Sequence, residues 1–156
     1  MAGKEELLKN HPEYKIVVEI ENLPEDENEL LIVGNESLLK TAFKNLMDNG
    51  CKYSMDKLVE LRMKYQEKNV FAVDIENRGT GITSDEAIHI FKPFYRSPQH
   101  ASINGFGIGL SLVHQILDLH KVKISIDQSF ENKTRFRLIF DSSQRQSQSL
   151  VNINFN

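Results

Sequence analysis

Three stretches of this chain carry side chains whose types and spacing suit the binding of a phosphorylated, metal-associated ligand. The first is NLMDNGCKYS at 45–54. Asn45 and Asn49 are four residues apart, which on a helix stacks them on one edge. An amide oxygen is a hard ligand suited to Mg²⁺, an ion that keeps several waters and shares its other positions with phosphate oxygens. Lys52 would add a mobile positive charge nearby, and Tyr53 follows it. The second stretch is NRGTGI at 77–82, directly after a strand pattern. Asn77 offers a fixed polar group to a base, while Gly79 and Gly81 permit positive φ and close approach of a ligand to backbone. The third is GFGIGL at 105–110, a glycine run opening a helix. Unpaired N–H groups at a helix N-terminus, with the positive end of its dipole, make a phosphate site.

Taken singly, each stretch also fits an ordinary role: a polar helix edge, a tight turn, glycines that serve packing. Their order is more informative, since it sets a metal site, a base site and a phosphate site along one chain. A dinucleotide-binding fold is excluded, because its glycines follow the first strand of a βαβ unit, whereas Gly105, Gly107 and Gly109 follow a long loop. The phosphate-loop pattern ending in Gly-Lys-Ser/Thr is absent.

The elements that must position these groups can be read from periodicity. Residues 1–13 form a helical lead-in ending at His11-Pro12, and KIVVEIEN (15–22) is an apolar, β-branched strand. Leu30 to Val33 read as a short strand closed by Gly34-Asn35. From Glu36 to about Lys52, Leu38, Leu39, Ala42, Phe43, Leu46 and Met47 recur at helical spacing. Residues 57–66 and 69–76 alternate strictly, so a hairpin turning at Glu67-Lys68 is expected. Thr83 opens a short helix, with Glu86 completing a capping box. Residues 92–106 lack a period and read as a mobile loop. A helix from about Gly107 to His120 turns Leu112, Val113, Ile116 and Leu117 inward, and strands at 121–127 and 134–141 follow. The polar tail 142–156 is expected to be disordered in its first half. This order predicts a two-layer α/β (α+β) sandwich, with a mixed, mostly antiparallel sheet of about five strands and about three helices on one face.

Composition agrees with one ordinary globular domain: 156 residues, 40% hydrophobic and 26% charged, so a sizeable core is available. A net charge of -3 with both signs mixed argues against a surface built for nucleic acid or lipid. Neither a membrane-spanning apolar run nor a signal peptide is present, and a single cysteine, Cys51, fits a reducing compartment. A cytoplasmic domain is the expectation. Cys51 itself reads as a small core residue.

At this point the chain resembles the ATP-binding catalytic domain of bacterial sensor histidine kinases. NLMDNGCKYS resembles that family's N box, NRGTGI its G1 box, IFKPFYRS (90–97) its F box and GFGIGL its G2 box, all in the family's order. The resemblance implies the Bergerat fold over 15–141, with a lid at 92–106 and ATP and Mg²⁺ as ligands. It implies that Asn49 ligates Mg²⁺ with Asn45 nearby, and that Lys52 and Tyr53 line the phosphate and ribose side. Asn77, Gly79, Gly81 and Ile82 would receive the adenine, while Gly105, Gly107, Gly109 and Leu110 would wrap the phosphates. Phe91 and Phe94 would anchor the lid by packing, and Arg96 would reach a phosphate.

Two residues depart from related patterns. The G1 box normally begins with Asp, where this chain has Asn77, so the charge facing the adenine amino group is gone. ATPases of the superfamily carry a Glu as base for water where Asn45 stands, and an amide takes no proton at neutral pH. That favours phosphoryl transfer over hydrolysis. The family's phosphoacceptor motif is absent, and His114 and His120 read as surface or capping residues. The chain therefore reads as a piece of a longer receptor, with residues 1–14 ending a preceding dimerisation region. Its expected partners are that dimerisation and histidine-phosphotransfer domain and a response-regulator receiver domain, without nucleic acid or direct membrane contact. A degenerate nucleotide-sensing or partner-docking module and an anti-sigma-factor-type serine kinase are the rival readings.

Overall fold

The computed structural model describes residues 2–25, 32–66, 70–127, 132–141 and 150–151. In chain order the elements are α1 (Ala2–Asn10), β1 (Lys15–Glu21), β2 (Ile32–Val33), α2 (Glu36–Tyr53), β3 (Leu58–Gln66) and β4 (Val70–Arg78). Then come α3 (Ser84–Ala87), α4 (Gly109–Leu119), β5 (Lys123–Asp127), β6 (Lys133–Asp141) and β7 (Leu150–Val151).

Five strands form one sheet in the order β1-β3-β4-β6-β5. Only β1 and β3 are parallel, from Lys15↔Leu58 to Glu21↔Lys64. A parallel pair needs a long crossover, which α2 supplies. The other neighbours are antiparallel, so the mixed, mostly antiparallel sandwich predicted from the sequence is the one observed.

Period-two alternation turns Val59, Leu61 and Met63, Phe71, Val73 and Ile75, and Phe136, Leu138 and Phe140 toward one face, where all are buried. Against them lie Leu39, Phe43, Leu46 and Met47 of α2 and Val113, Ile116 and Leu117 of α4. Each such side chain contributes about 1.5–3 kcal/mol when fully buried. Phe140 stacks on Phe71 at 4.8 Å and on Phe43 at 6.2 Å. Leu112 is a correction to the sequence reading: it is 40% exposed, and Ser111 is buried in its stead. One helical step rotates about 100°, so a stripe centred on Val113, Ile116 and Leu117 carries Leu112 off the core face. Cys51 is fully buried, and burial pushes its thiol up to about 12.

Among the described residues, the opposite sheet face carries ion pairs and no second helical layer. Arg137 Nε meets Asp74 at 2.7 Å, Arg62 Nε meets Glu19 at 3.1 Å, and Glu76 accepts from both Lys133 (2.7 Å) and Arg135 (2.6 Å). Burial pushes the Glu76 carboxyl up, but those two cations outweigh it and hold its pKa below the ordinary value.

Asn35 caps α2 by accepting from the Leu38 N–H at 3.1 Å. Its own N–H donates to His120 Nε2 at 2.9 Å, and His120 Nδ1 donates to the Ile116 carbonyl at 2.6 Å. Because Nε2 accepts, the ring carries its proton on Nδ1. The start of α2 is thereby tied to the end of α4. Helix α1 packs on α2 through buried Leu7 and a Glu6–Lys44 ion pair. A two-residue pairing of β2 with β7 (Ile32↔Val151, Val33↔Leu150) is an addition the sequence did not signal. The expected hairpin turn at 67–68 and the tail segment 142–149 lie outside the described residues. Among the described residues, no helix is long and apolar enough to cross a membrane.

Candidate nucleotide-binding site

The polar edge of α2, the end of β4, the loop 92–106 and the start of α4 enclose two adjoining cavities. The smaller, about 90 Å³, lies over the end of β4 and is lined by Asn77, Gly81, Ile82, Thr80 and Thr134. The larger, about 230 Å³, lies between α2 and the glycine run and is lined by Asn45, Lys52, Gly105, Gly107 and Gly109. Asn49, Tyr53 and Leu110 line both. Most of the predicted site residues are thus brought together, from segments far apart in sequence.

Asn77 and Thr134 are directly opposite one another on β4 and β6, and both are buried. Neither side chain makes a hydrogen bond among the described residues, and both open onto the smaller cavity. Gly81 has φ of +75°, which turns the backbone past the cavity mouth as expected. Gly79 differs from the expectation. A Cβ there would stand 2.7 Å from the Tyr53 carbonyl oxygen, so its role is to let β4 pack on the end of α2.

At the junction, the Asn49 amide makes no hydrogen bond among the described residues. Asn45 Nδ2 donates to the Thr41 carbonyl at 2.9 Å, which leaves its oxygen toward the Gly109 backbone. Asp48, which the sequence reading passed over, also lines the larger cavity. Both its oxygens are engaged, one by Tyr14 Oη at 3.1 Å and the other by Lys52 Nζ at 3.1 Å. Burial and the Asp48 charge raise the Tyr14 pKa, so its phenol stays a donor. The first turn of α4 has no side-chain cap, and its first residues, Gly109 and Leu110, line the larger cavity.

The loop is braced, though no period marks it. Residues Pro98–His100 form a 3₁₀ turn, and Arg96 Nη2 donates to the Ala101 and Ile103 carbonyls. Arg96 lines the smaller cavity and not the larger one beside the glycine run. Ser97 donates to Glu86, whose other oxygen accepts from the Thr83 N–H and hydroxyl in the predicted capping box. Burial pushes the Glu86 carboxyl up, and these bonds outweigh it and hold it low. His100 stands edge-on to Tyr53 at 5.0 Å, and its Nε2 is 3.2 Å from Thr80 Oγ1. Phe91 packs beside His114 (5.2 Å) and Phe136 (6.3 Å), as an anchor should. Phe94 does not: its ring is 77% exposed and its φ is +64°.

Residues 34–144 match the family described as histidine kinase-, DNA gyrase B-, and HSP90-like ATPases. The chain belongs to that family. Among sensor relatives of this ATPase family, it is 30% identical over 136 residues to the heme sensor protein HssS of Staphylococcus saprophyticus, covering 81% of this chain and 29% of that protein. It is 31% identical over 106 residues to the sensor histidine kinase YkoH of Bacillus subtilis, covering 67% and 23% respectively. The chain therefore spans less than a third of either relative. The fold is similar to that of the mycobacterial sensor histidine kinase MprB, with a TM-score of 0.73 at 21% identity over 89% of each chain. It is also similar to the catalytic domain of histidine kinase ThkA, with a TM-score of 0.67 at 22% identity over 90% of this chain and 85% of that one.

Mg²⁺ fits the residues present. Among the described residues no three His, Cys, Asp or Glu side chains converge on one point, so a metal here would rely on an amide oxygen, phosphate and water. That is the donor set Mg²⁺ accepts, and among the described residues the Asn49 amide has no competing partner.

Proposed function

We propose that this domain binds Mg·ATP and passes the γ-phosphoryl group to a histidine on a separate dimerisation domain, for relay to a response-regulator aspartate. The base would occupy the smaller cavity, and the phosphates the larger. Mg²⁺, when bound through Asn49, supplies charge neutralisation at the phosphate oxygens. Lys52 and the uncapped first turn of α4 line the same space, so the protein's part is positioning and electrostatic stabilisation.

The observation that carries this reading is the pairing of a free Asn49 amide with the lack of a water-activating base. Asn45 accepts no proton, and among the described residues the one carboxylate lining the larger cavity, Asp48, already accepts from Tyr14 and Lys52. Hydrolysis is disfavoured, while transfer to an incoming imidazole needs no base from this chain. The likeness to sensor kinases supports reading the domain as part of a two-component signalling kinase, on the cytoplasmic side of a membrane receptor.

Isothermal titration of Mg·ATP into the wild type and Asn49→Ala tests the binding half. Micromolar-range affinity that weakens about tenfold or more in the variant is expected. Absence of binding by the wild type would sink the proposal. Incubation with the phosphoacceptor domain of a related sensor kinase tests transfer. Binding without transfer would leave a nucleotide-sensing or partner-docking module.

A further inference from the structure

We infer that the base cavity does not distinguish 6-aminopurine from 6-oxopurine nucleotides, and that Asn77 is the residue responsible. The inference rests on the nucleotide-binding reading above and deepens it. Adenine presents a donor at its 6-amino group beside an acceptor at N1. Hypoxanthine presents the reverse, an acceptor at O6 beside a donor at N1–H. A carboxylate only accepts, so it favours the first pattern and sets lone pairs against O6 in the second. An amide offers both a donor and an acceptor. Rotating its last bond by 180° exchanges the two and matches either edge.

Whether that rotation is open depends on what holds the amide, and among the described residues nothing does. Asn77 is 6% exposed, lines the cavity and makes no side-chain hydrogen bond. Its neighbour across the sheet is the Thr134 hydroxyl, which also donates or accepts and is likewise without a partner there. Thr80 at the cavity wall is a third group of that dual kind.

No carboxylate takes over the discrimination. Glu86 is the acid lining this cavity, and its two oxygens are engaged by Thr83 and Ser97. Asp74 and Glu76, on the same strand, are paired with Arg137 and with Lys133 and Arg135 on the other sheet face. Arg96, a donor only, also lines the cavity, but its Nη2 is held by the Ala101 and Ile103 carbonyls. The groups beside Asn77 that would meet the base edge, Thr134 and Thr80, are therefore ones that can reverse their polarity.

Titration of ADP and IDP, each with Mg²⁺, into the wild-type chain and Asn77→Asp tests this, since the two nucleotides differ in this donor and acceptor edge alone. Wild-type affinities within about threefold of each other are expected, and a preference for ADP of about tenfold or more in N77D. A wild-type preference for ADP of tenfold or more would overturn the inference and leave nucleotide binding standing. So would an N77D ratio equal to the wild-type ratio in a variant that melts cooperatively. If the wild type binds neither nucleotide, the functional proposal falls and this inference with it. Should N77D fail to fold, the wild-type ratio still decides.

Discussion

Gly107 lies directly against the backbone of Phe94. The Phe94 N–H donates to the Gly107 carbonyl at 2.8 Å, and a Cβ on Gly107 would stand 2.8 Å from the Phe94 carbonyl carbon and 2.7 Å from the Tyr95 carbonyl oxygen. Its φ of +71° adds a conformational demand, and Phe94 itself sits at +64°. The aromatic stretch and the glycine run are thus one unit, clasped through backbone. Gly107→Ala is expected to cost about 1–3 kcal/mol at this clasp and to weaken Mg·ATP binding about tenfold. Gly105→Ala is the control, because a Cβ there meets nothing within 4 Å. Its stability is expected to stay within about 0.5 kcal/mol of wild type, as read by thermal melting.

His120 joins two helix ends by accepting from the Asn35 N–H and donating to the Ile116 carbonyl. A Cβ on Gly34 would overlap the His120 ring, so the approach is close. His120→Ala leaves the Asn35 N–H and the Ile116 carbonyl to water. A loss of about 1 kcal/mol is expected, or roughly 2–4 °C in Tm for a chain of this size. An unchanged melting curve would show that the tie contributes nothing.

How far the sequence reached depends on the range of the interaction. The strands around Val59–Met63 and Phe71–Ile75, the α2 face and the Thr83–Glu86 cap were all legible, because each follows from neighbours a few residues apart. The Asn45–Asn49 edge was legible for the same reason, and Asp48 could have been read with it, being four residues before Lys52 on the same helix. Thr134 could not. Its place opposite Asn77 is set by the register of two strands far apart in sequence. The role of Gly79 was likewise hidden, since contact with the Tyr53 carbonyl depends on how β4 seats against α2. For Arg96 the resemblance implies a phosphate contact, whereas the carbonyls of Ala101 and Ile103 hold it at the smaller cavity.

The outer sheet face sets the acid limit of stability. Burial pushes the Glu76 carboxyl up, but Lys133 and Arg135 hold its folded pKa below the ordinary 4.5. A carboxyl lowered in the folded state contributes stability that is fully present above the unfolded value and lost as pH falls through the folded one. Denaturant midpoints should therefore hold steady from neutrality to about pH 5 and fall steeply below the unfolded value. Glu76→Gln should be less stable at pH 7 by about 2 kcal/mol and show a shallower decline on the acid side. An identical acid slope in the variant would assign the decline to other carboxyls.

Asp48 places a negative charge in the cavity assigned to the phosphates and holds Lys52 Nζ at 3.1 Å. A triphosphate must compete with that carboxylate for the ammonium and also tolerate its repulsion. Asp48→Asn removes the charge while keeping an acceptor for Tyr14 Oη, so the contact between the first strand's approach and α2 survives. The expected result is nucleotide binding about threefold to tenfold tighter at low ionic strength, with the gain shrinking as salt is raised. Lys52→Ala should act in the opposite direction and lower affinity by a similar factor. Titrations of both variants at two salt concentrations separate this account from one in which the Lys52–Asp48 pair only shapes the helix. In that second case both substitutions would weaken binding, and salt would not alter their difference.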